Sequence, residues 1–111
     1  VLLKAYDASG FVFYTNAESR KGRELTANPK AALCFHWMPL ERQVRIEGGA
    51  ERVSEAEADA YFASRFRDSQ VGAWASAQSR PLESMEMLVA QTEEAVKRYQ
   101  GKPVPRPPYW G

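Results

Sequence analysis

The sequence has one cysteine and one histidine among 111 residues, and each scarcity removes a class of chemistry. A lone Cys34 rules out an internal disulfide and a cysteine-rich zinc site, and a single thiol suits a reducing, cytoplasmic setting. His36 has no second histidine with which to ligate a metal. No serine has a histidine and an acid arranged around it as a hydrolase triad requires. Charge of one sign is not in excess either. Fifteen basic and 14 acidic residues leave a net charge of +1, whereas a general nucleic-acid binder carries a clear basic surplus. No apolar run approaches the roughly 20 residues that span a bilayer. Glycine-rich phosphate loops are missing, and Gly48-Gly49 is too short to serve as one. The opening VLLKAYD has neither an initiator Met nor the order of a signal peptide, as expected of a chain entered part-way through a strand.

What remains is a length suited to one domain with a modest core, at 44% hydrophobic and 26% charged residues. Residues 1–7 and 11–15 read as strands joined by Ala8-Ser9-Gly10. Ser19 is placed to cap a helix that runs to Asn28 and stops at Pro29. AALCFHW (31–37) reads as a buried strand, with Cys34 as core packing. After a turn at 38–40, residues 41–53 read as a second strand with a bulge or bend at Gly48-Gly49. Ser54 and Glu57 form a capping-box pattern before a helix over 55–65. Asp68 is placed to cap a short helix over 69–75. A last helix, 84–100, carries Met85, Leu88, Val89, Thr92 and Val96 near a 3.6-residue period, ends at Gly101 and leads into a proline-rich tail. Antiparallel strands with helices between and after them give an α+β domain built on a small barrel or curled sheet.

Two clusters carry candidate chemistry. Arg20 and Lys21 fall in the first turn of a helix, the end where cations are least favoured by the macrodipole. They read either as solvated charges or as reinforcement of a phosphate site made by the free N–H groups of that turn. Tyr14 and Thr15, at the end of the preceding strand, aim polar atoms at the same corner. In YFASRFRDSQVGAW, Tyr61 and Arg65 stand four apart, which puts them on one helical face. Ser69 opens the next helix, and Lys4 on the first strand offers another cation. The alternative is an amphipathic helix with Arg65 paired to Asp68 or Glu57. His36, between Phe35 and Trp37, reads as a strand residue rather than a base.

Taken in order, VLLKAYD, GFVFYTNAESRKGREL, LERQVRIEG, YFASRFRDSQVGAWAS and PPYWG resemble the pyridoxine/pyridoxamine 5'-phosphate oxidases over nearly the whole chain. The resemblance implies a split β-barrel, antiparallel and Greek-key-like with flanking helices, that binds flavin mononucleotide (FMN) at the interface of a homodimer. It implies oxidation of pyridoxine 5'-phosphate or pyridoxamine 5'-phosphate to pyridoxal 5'-phosphate, with oxygen as acceptor and hydrogen peroxide as product. Matched position by position, Val1, Leu2, Leu3, Lys4, Tyr14, Thr15, Gln43, Gln78 and Ser79 fall on flavin contacts, and Arg20 with Lys21 on the flavin-phosphate clamp. Lys4, Tyr61, Arg65 and Ser69 fall on residues that hold the substrate phosphate.

Members of that family begin earlier, with an Arg before VLLK, and continue past PPYWG into a segment with a Trp and an R-x-H-D-R motif. Residues 1–111 are thus expected to be one FMN-binding domain without the family's N-terminal extension and C-terminal segment. The chain is then either a fragment of an oxidase or a short relative that binds FMN or pyridoxal 5'-phosphate without turnover. A reading from another class is a dimeric interaction module whose basic residues are surface charge. Phe66 stands where the family commonly has Pro.

Overall fold

The computed structural model describes residues 1–111 as two β-hairpins and four helices. Strands β1 (Ala5–Asp7) and β2 (Gly10–Val12) pair antiparallel, Tyr6 opposite Phe11. Their turn is tied by the Asp7 carboxylate, which accepts from the backbone N–H groups of Ser9 and Gly10 and from the Ser9 hydroxyl. Both strands are shorter than the alternation suggests. Residues 1–3 have no ladder partner beyond the bond from Lys4 N–H to the Val12 carbonyl. Past Val12 the chain pairs elsewhere: Thr15 exchanges both backbone bonds with Gly111, and Asn16 bridges to Trp110.

Helix α1 (Arg20–Ala27) starts where its N-cap requires, with the Ser19 hydroxyl accepting from the Gly22 N–H. Gly22 is buried because the first turn lies directly on the backbone of Ala17. A Cβ there would sit 2.3 Å from the Ala17 carbonyl oxygen. Strands β3 (Lys30–Trp37) and β4 (Arg42–Gly49) form the longer hairpin, joined by a single 3-10 turn at 38–40. Their register runs unbroken from Lys30 opposite Gly49 to Trp37 opposite Arg42, so Gly48-Gly49 is a regular pair of ladder positions and not a bulge. Ala50 N–H donates to the Pro29 carbonyl, and the strand ends there rather than at residue 53, because the partner strand begins only at Lys30.

Helices α2 (Glu55–Ser64), α3 (Arg67–Ala75) and α4 (Met85–Arg98) build the core with the C-terminal tail. Phe62, Val71, Ala75, Ala95, Tyr99, Val104 and Trp110 form the buried cluster. The Ser54 cap of α2 forms, but Glu57 turns to Tyr14 rather than closing the box. α3 begins two residues before the expected start, with Phe66 as an N-cap lacking a side-chain bond and Asp68 inside the first turn. Gln70 joins α3 to α2 by donating from Nε2 to the carbonyls of Phe62 and Ala63. On α4 the inward residues are Leu88, Thr92, Ala95 and Tyr99. Met85, Val89 and Val96 face solvent, because only α3 lies against this helix and a single neighbour covers a narrow stripe. Gly101, at φ 69°, supplies the left-handed residue that ends α4.

The β3–β4 hairpin is the largest departure from the sequence reading. No residue in it is buried, Cys34 included, since no other element of this chain lies over either face. Leu33, Phe35, Val44 and Ile46 share one half-covered face; Cys34, His36, Gln43 and Arg45 share the other. The protruding hairpins raise the radius of gyration to 16.0 Å, against about 13 Å for a compact chain of this size. The strands form two separate two-stranded sheets and no closed barrel. No helix is long and apolar enough to cross a membrane.

Gly22→Ala is expected to lower stability by about 1–3 kcal/mol, since the added methyl meets backbone that cannot rotate away. Thermal denaturation checks this, and an unchanged melting temperature would show that α1 does not pack on Ala17 as described.

Candidate functional site

Three elements converge on a cavity of about 720 Å³ between the N-terminal segment, the 14–21 corner and the α2–α3 junction. That size lies within the range of small-molecule sites. Lys4, Lys21 and Arg65 line it, and no Asp or Glu does. In a chain with nearly equal numbers of acids and bases, three cations facing one space without an acid is a local concentration of positive charge. Of the twelve basic residues elsewhere, four pair with acids. Arg20 pairs with Glu24, Arg45 with Glu47, Arg80 with Glu18, and Arg106 with Glu55 and Asp59.

The cations fall into two groups by their contacts. Lys21 donates from Nζ to the Gln78 side-chain oxygen at 2.7 Å and to the Ser19 hydroxyl at 3.3 Å. Thr15 reaches the same Gln78 oxygen at 3.4 Å. α1 thus starts with one cation held over the cavity by neutral acceptors. Its neighbour Arg20 lies one position back around the helix and points outward, its side chain 81% exposed beside Glu24. The Glu24 carboxylate raises its pKa further.

The second group is aromatic. Tyr14 and Tyr61 stack at 4.0 Å between ring centroids and 6° between planes, and Trp110 lies parallel to both at 5.6 and 5.9 Å. Lys4 Nζ stands 6.0 Å from the Tyr61 centroid, and the Arg65 guanidinium 4.6 Å from that of Trp110. Arg65 makes no ion pair with Asp68 or Glu57. Its Nη1 is buried without any hydrogen-bond partner, and burial pushes its pKa below the usual guanidinium value, with Tyr61 partly opposing. A guanidinium remains charged even so. An unpaired buried donor of this kind is costly unless a ligand meets it. The Tyr14 hydroxyl holds its proton more tightly than a free phenol, through burial first and then through Glu57, 3.4 Å away.

Arg65 is not on a helical face shared with Tyr61. α2 ends at Ser64, and Arg65 has extended dihedrals as its C-cap. The two residues nevertheless line one cavity, because the turn into α3 swings Arg65 back over Trp110. Ser69 lines it from the first turn of α3. Val1, Leu2, Tyr14, Thr15 and Gln78 complete the sequence-selected residues found there, whereas Leu3, Arg20, Gln43 and Ser79 lie outside its lining. Gln43 is on the exposed face of β4, and Ser79 sits in the loop after α3 with a left-handed φ of 63°. Sequence reasoning gave no role to Trp110, although the aromatic pair in PPYWG, alone in a proline-rich tail, was a usable signal. Asn16, Ser64, Phe66, Gly72, Ala73 and Ser76 also line the cavity, and their types carry no such signal.

Known proteins are similar to this chain in sequence and fold. The profile of the pyridoxamine 5'-phosphate oxidase family matches residues 1–99. A pyridoxine/pyridoxamine 5'-phosphate oxidase of Myxococcus xanthus is 66% identical over 110 residues, covering 99% of this chain and 53% of the relative. One from Rubrobacter xylanophilus is 61% identical over 111 residues, covering 100% and 51%. Among solved structures, PhzG from Burkholderia lata, in complex with tetrahydrophenazine-1-carboxylic acid, superposes with a TM-score of 0.89 at 33% identity, covering 97% of this chain and 52% of that one. The chain spans about half the length of the curated relatives it matches. With the family profile over most of its residues and identity above 60% to named members, the chain belongs to the pyridoxamine 5'-phosphate oxidase family.

Proposed function

We propose that this chain is the cofactor- and substrate-binding part of an oxidase that converts pyridoxine 5'-phosphate or pyridoxamine 5'-phosphate to pyridoxal 5'-phosphate, using FMN, with oxygen as acceptor and hydrogen peroxide as product. The observation that carries this reading is the acid-free cavity with Lys4, Lys21 and Arg65 on its walls and an unpaired Arg65 donor. Cofactor and substrate each bring one phosphate, and the residues fit both. Lys21, with Thr15 and Gln78, forms one polar group; Lys4 and Arg65, with Tyr61 and Ser69, form another. Lysine supplies a point charge, and arginine a planar fork that suits phosphate oxygens.

FMN, when bound, supplies the acceptance of two electrons. The chain's own share is binding and orientation. Lys21 would hold the cofactor phosphate, with Val1, Leu2, Leu3, Tyr14 and Thr15 beside the cofactor, and Arg20 would join by leaving Glu24. Lys4, Tyr61, Arg65 and Ser69 would hold the substrate phosphate. The parallel rings of Tyr14, Tyr61 and Trp110 wall the space with flat apolar surface, which excludes water and restricts a planar ligand. Tyr14 keeps its proton and serves as a donor rather than a base.

Gln43 and Ser79 lie outside this cavity, so their assignment to the cofactor requires a second copy of the chain. The uncovered β3–β4 hairpin is where we place that copy, in a homodimer whose paired strands complete the split barrel. The alternative reading is binding of FMN or pyridoxal 5'-phosphate without turnover. Peroxide released from either phosphorylated vitamer separates the two.

Lys21→Ala is expected to weaken FMN binding about 10–100-fold, the worth of a charge-assisted bond, with little change in melting temperature. Fluorescence titration of the flavin measures it, and unchanged affinity would remove Lys21 from the clamp. Arg65→Ala is expected to raise KM for the phosphorylated vitamer by about the same factor while FMN stays bound. Loss of flavin in that variant would mean that the two phosphate groups have been exchanged.

A further inference from the structure

Backbone bonds on either side of Trp110, between Tyr109 and Ala17 and between Gly111 and Thr15, hold the end of the tail to residues 15–17. Pro105, Pro107 and Pro108 have no N–H, so before Tyr109 the tail has few backbone donors with which to reach α2. The tie from the tail to α2 is made by a side chain. Arg106 is inward-facing, its side chain 8% exposed, and its guanidinium binds three acceptors. Nε donates to Asp59 at 2.6 Å, Nη2 to Glu55, and Nη1 to the backbone carbonyl of Trp110. Two of these acceptors are on α2, the helix that carries Tyr61 and ends at Arg65. Arg106 is also the one side chain that bonds the backbone of Trp110.

We propose that Arg106 is a positioning residue for phosphate binding: by tying the Trp110 carbonyl to α2 it fixes the indole plane on which the Arg65 guanidinium lies. It touches no part of the cavity itself and acts only through Trp110 and Arg65. The chemistry favours this role over a merely stabilising one. A lysine has no fork with which to reach three acceptors in different directions, whereas a guanidinium satisfies all of them and fixes their relative orientation. Without the tie, Trp110 would stay held to residues 15–17 but not to α2, so the indole could shift relative to Arg65 at the end of that helix. The proposal rests on the reading above that Arg65 holds the substrate phosphate.

A double-mutant cycle tests it in the FMN-loaded protein, with pyridoxal 5'-phosphate as the probe and calorimetric titration as the readout. Arg106→Met is expected to weaken pyridoxal 5'-phosphate about tenfold in the wild-type background. It should have almost no further effect when Arg65 is already Ala, because nothing is left for it to position. Equal losses in both backgrounds, or none in either, would overturn the proposal. If Arg65→Ala by itself leaves affinity unchanged, the assignment of Arg65 fails first, a result distinct from additivity. Should Arg106→Met not fold, Glu55→Gln loosens the same tie from the α2 side. In the same cycle, a loss confined to the wild-type background supports the proposal, and equal losses or none overturn it.

Discussion

The site depends on a guanidinium without a carboxylate. Arg65 is partly desolvated, lies on the face of Trp110 and leaves one nitrogen buried and unpaired, while Glu57 meets Tyr14 and Asp59 pairs with Arg106. A protein of nearly zero net charge achieves this by distribution. It neutralises Arg20, Arg45, Arg80 and Arg106 with local acids and keeps acids away from Lys4, Lys21 and Arg65. The positive potential in the cavity then falls on whatever anion enters. The unpaired donor lowers stability in the empty state, and any acceptor that meets it offsets that deficit.

Much of the fold serves to hold that guanidinium and the rings beside it. Gly22 allows α1 to sit against Ala17, which sets the height of Lys21 over the cavity. Gln70 welds α3 to the end of α2, so the Arg65 turn is braced from below. The tail closes the arrangement through the Thr15–Gly111 backbone pair and through Trp110 in the core. By contrast, the β3–β4 hairpin braces nothing within the chain. Its apolar face of Leu33, Phe35, Val44 and Ile46 is left half-covered.

Local signals in the sequence were legible where local chemistry determines the outcome. Ser19, Ser54 and Ser84 cap their helices, because a hydroxyl beside free N–H groups needs no distant partner. Gly101 ends α4 for an equally local reason. The misreadings share one cause, that burial and pairing depend on distant residues. Cys34 sits in an apolar run that reads as a buried strand, yet it is exposed on the face it shares with His36, Gln43 and Arg45. The strand at 11–15 stops at Val12 because residue 15 pairs with residue 111, a contact no short window contains. Of the candidate site, the cations and Tyr61 were visible as residue types, and family resemblance selected among them. Trp110 left only the aromatic pair in PPYWG as a signal and Arg106 none, because their part comes from a tail folding back across α2.

The most direct test of the central claim is the visible absorption of the protein incubated with FMN and then titrated anaerobically with pyridoxamine 5'-phosphate. The expected result is a flavin band that stays with the protein through gel filtration, bleaches on addition of the amine and returns with peroxide on admission of air. A protein that retains no flavin, or a retained band that the phosphorylated amine leaves unbleached, would contradict it.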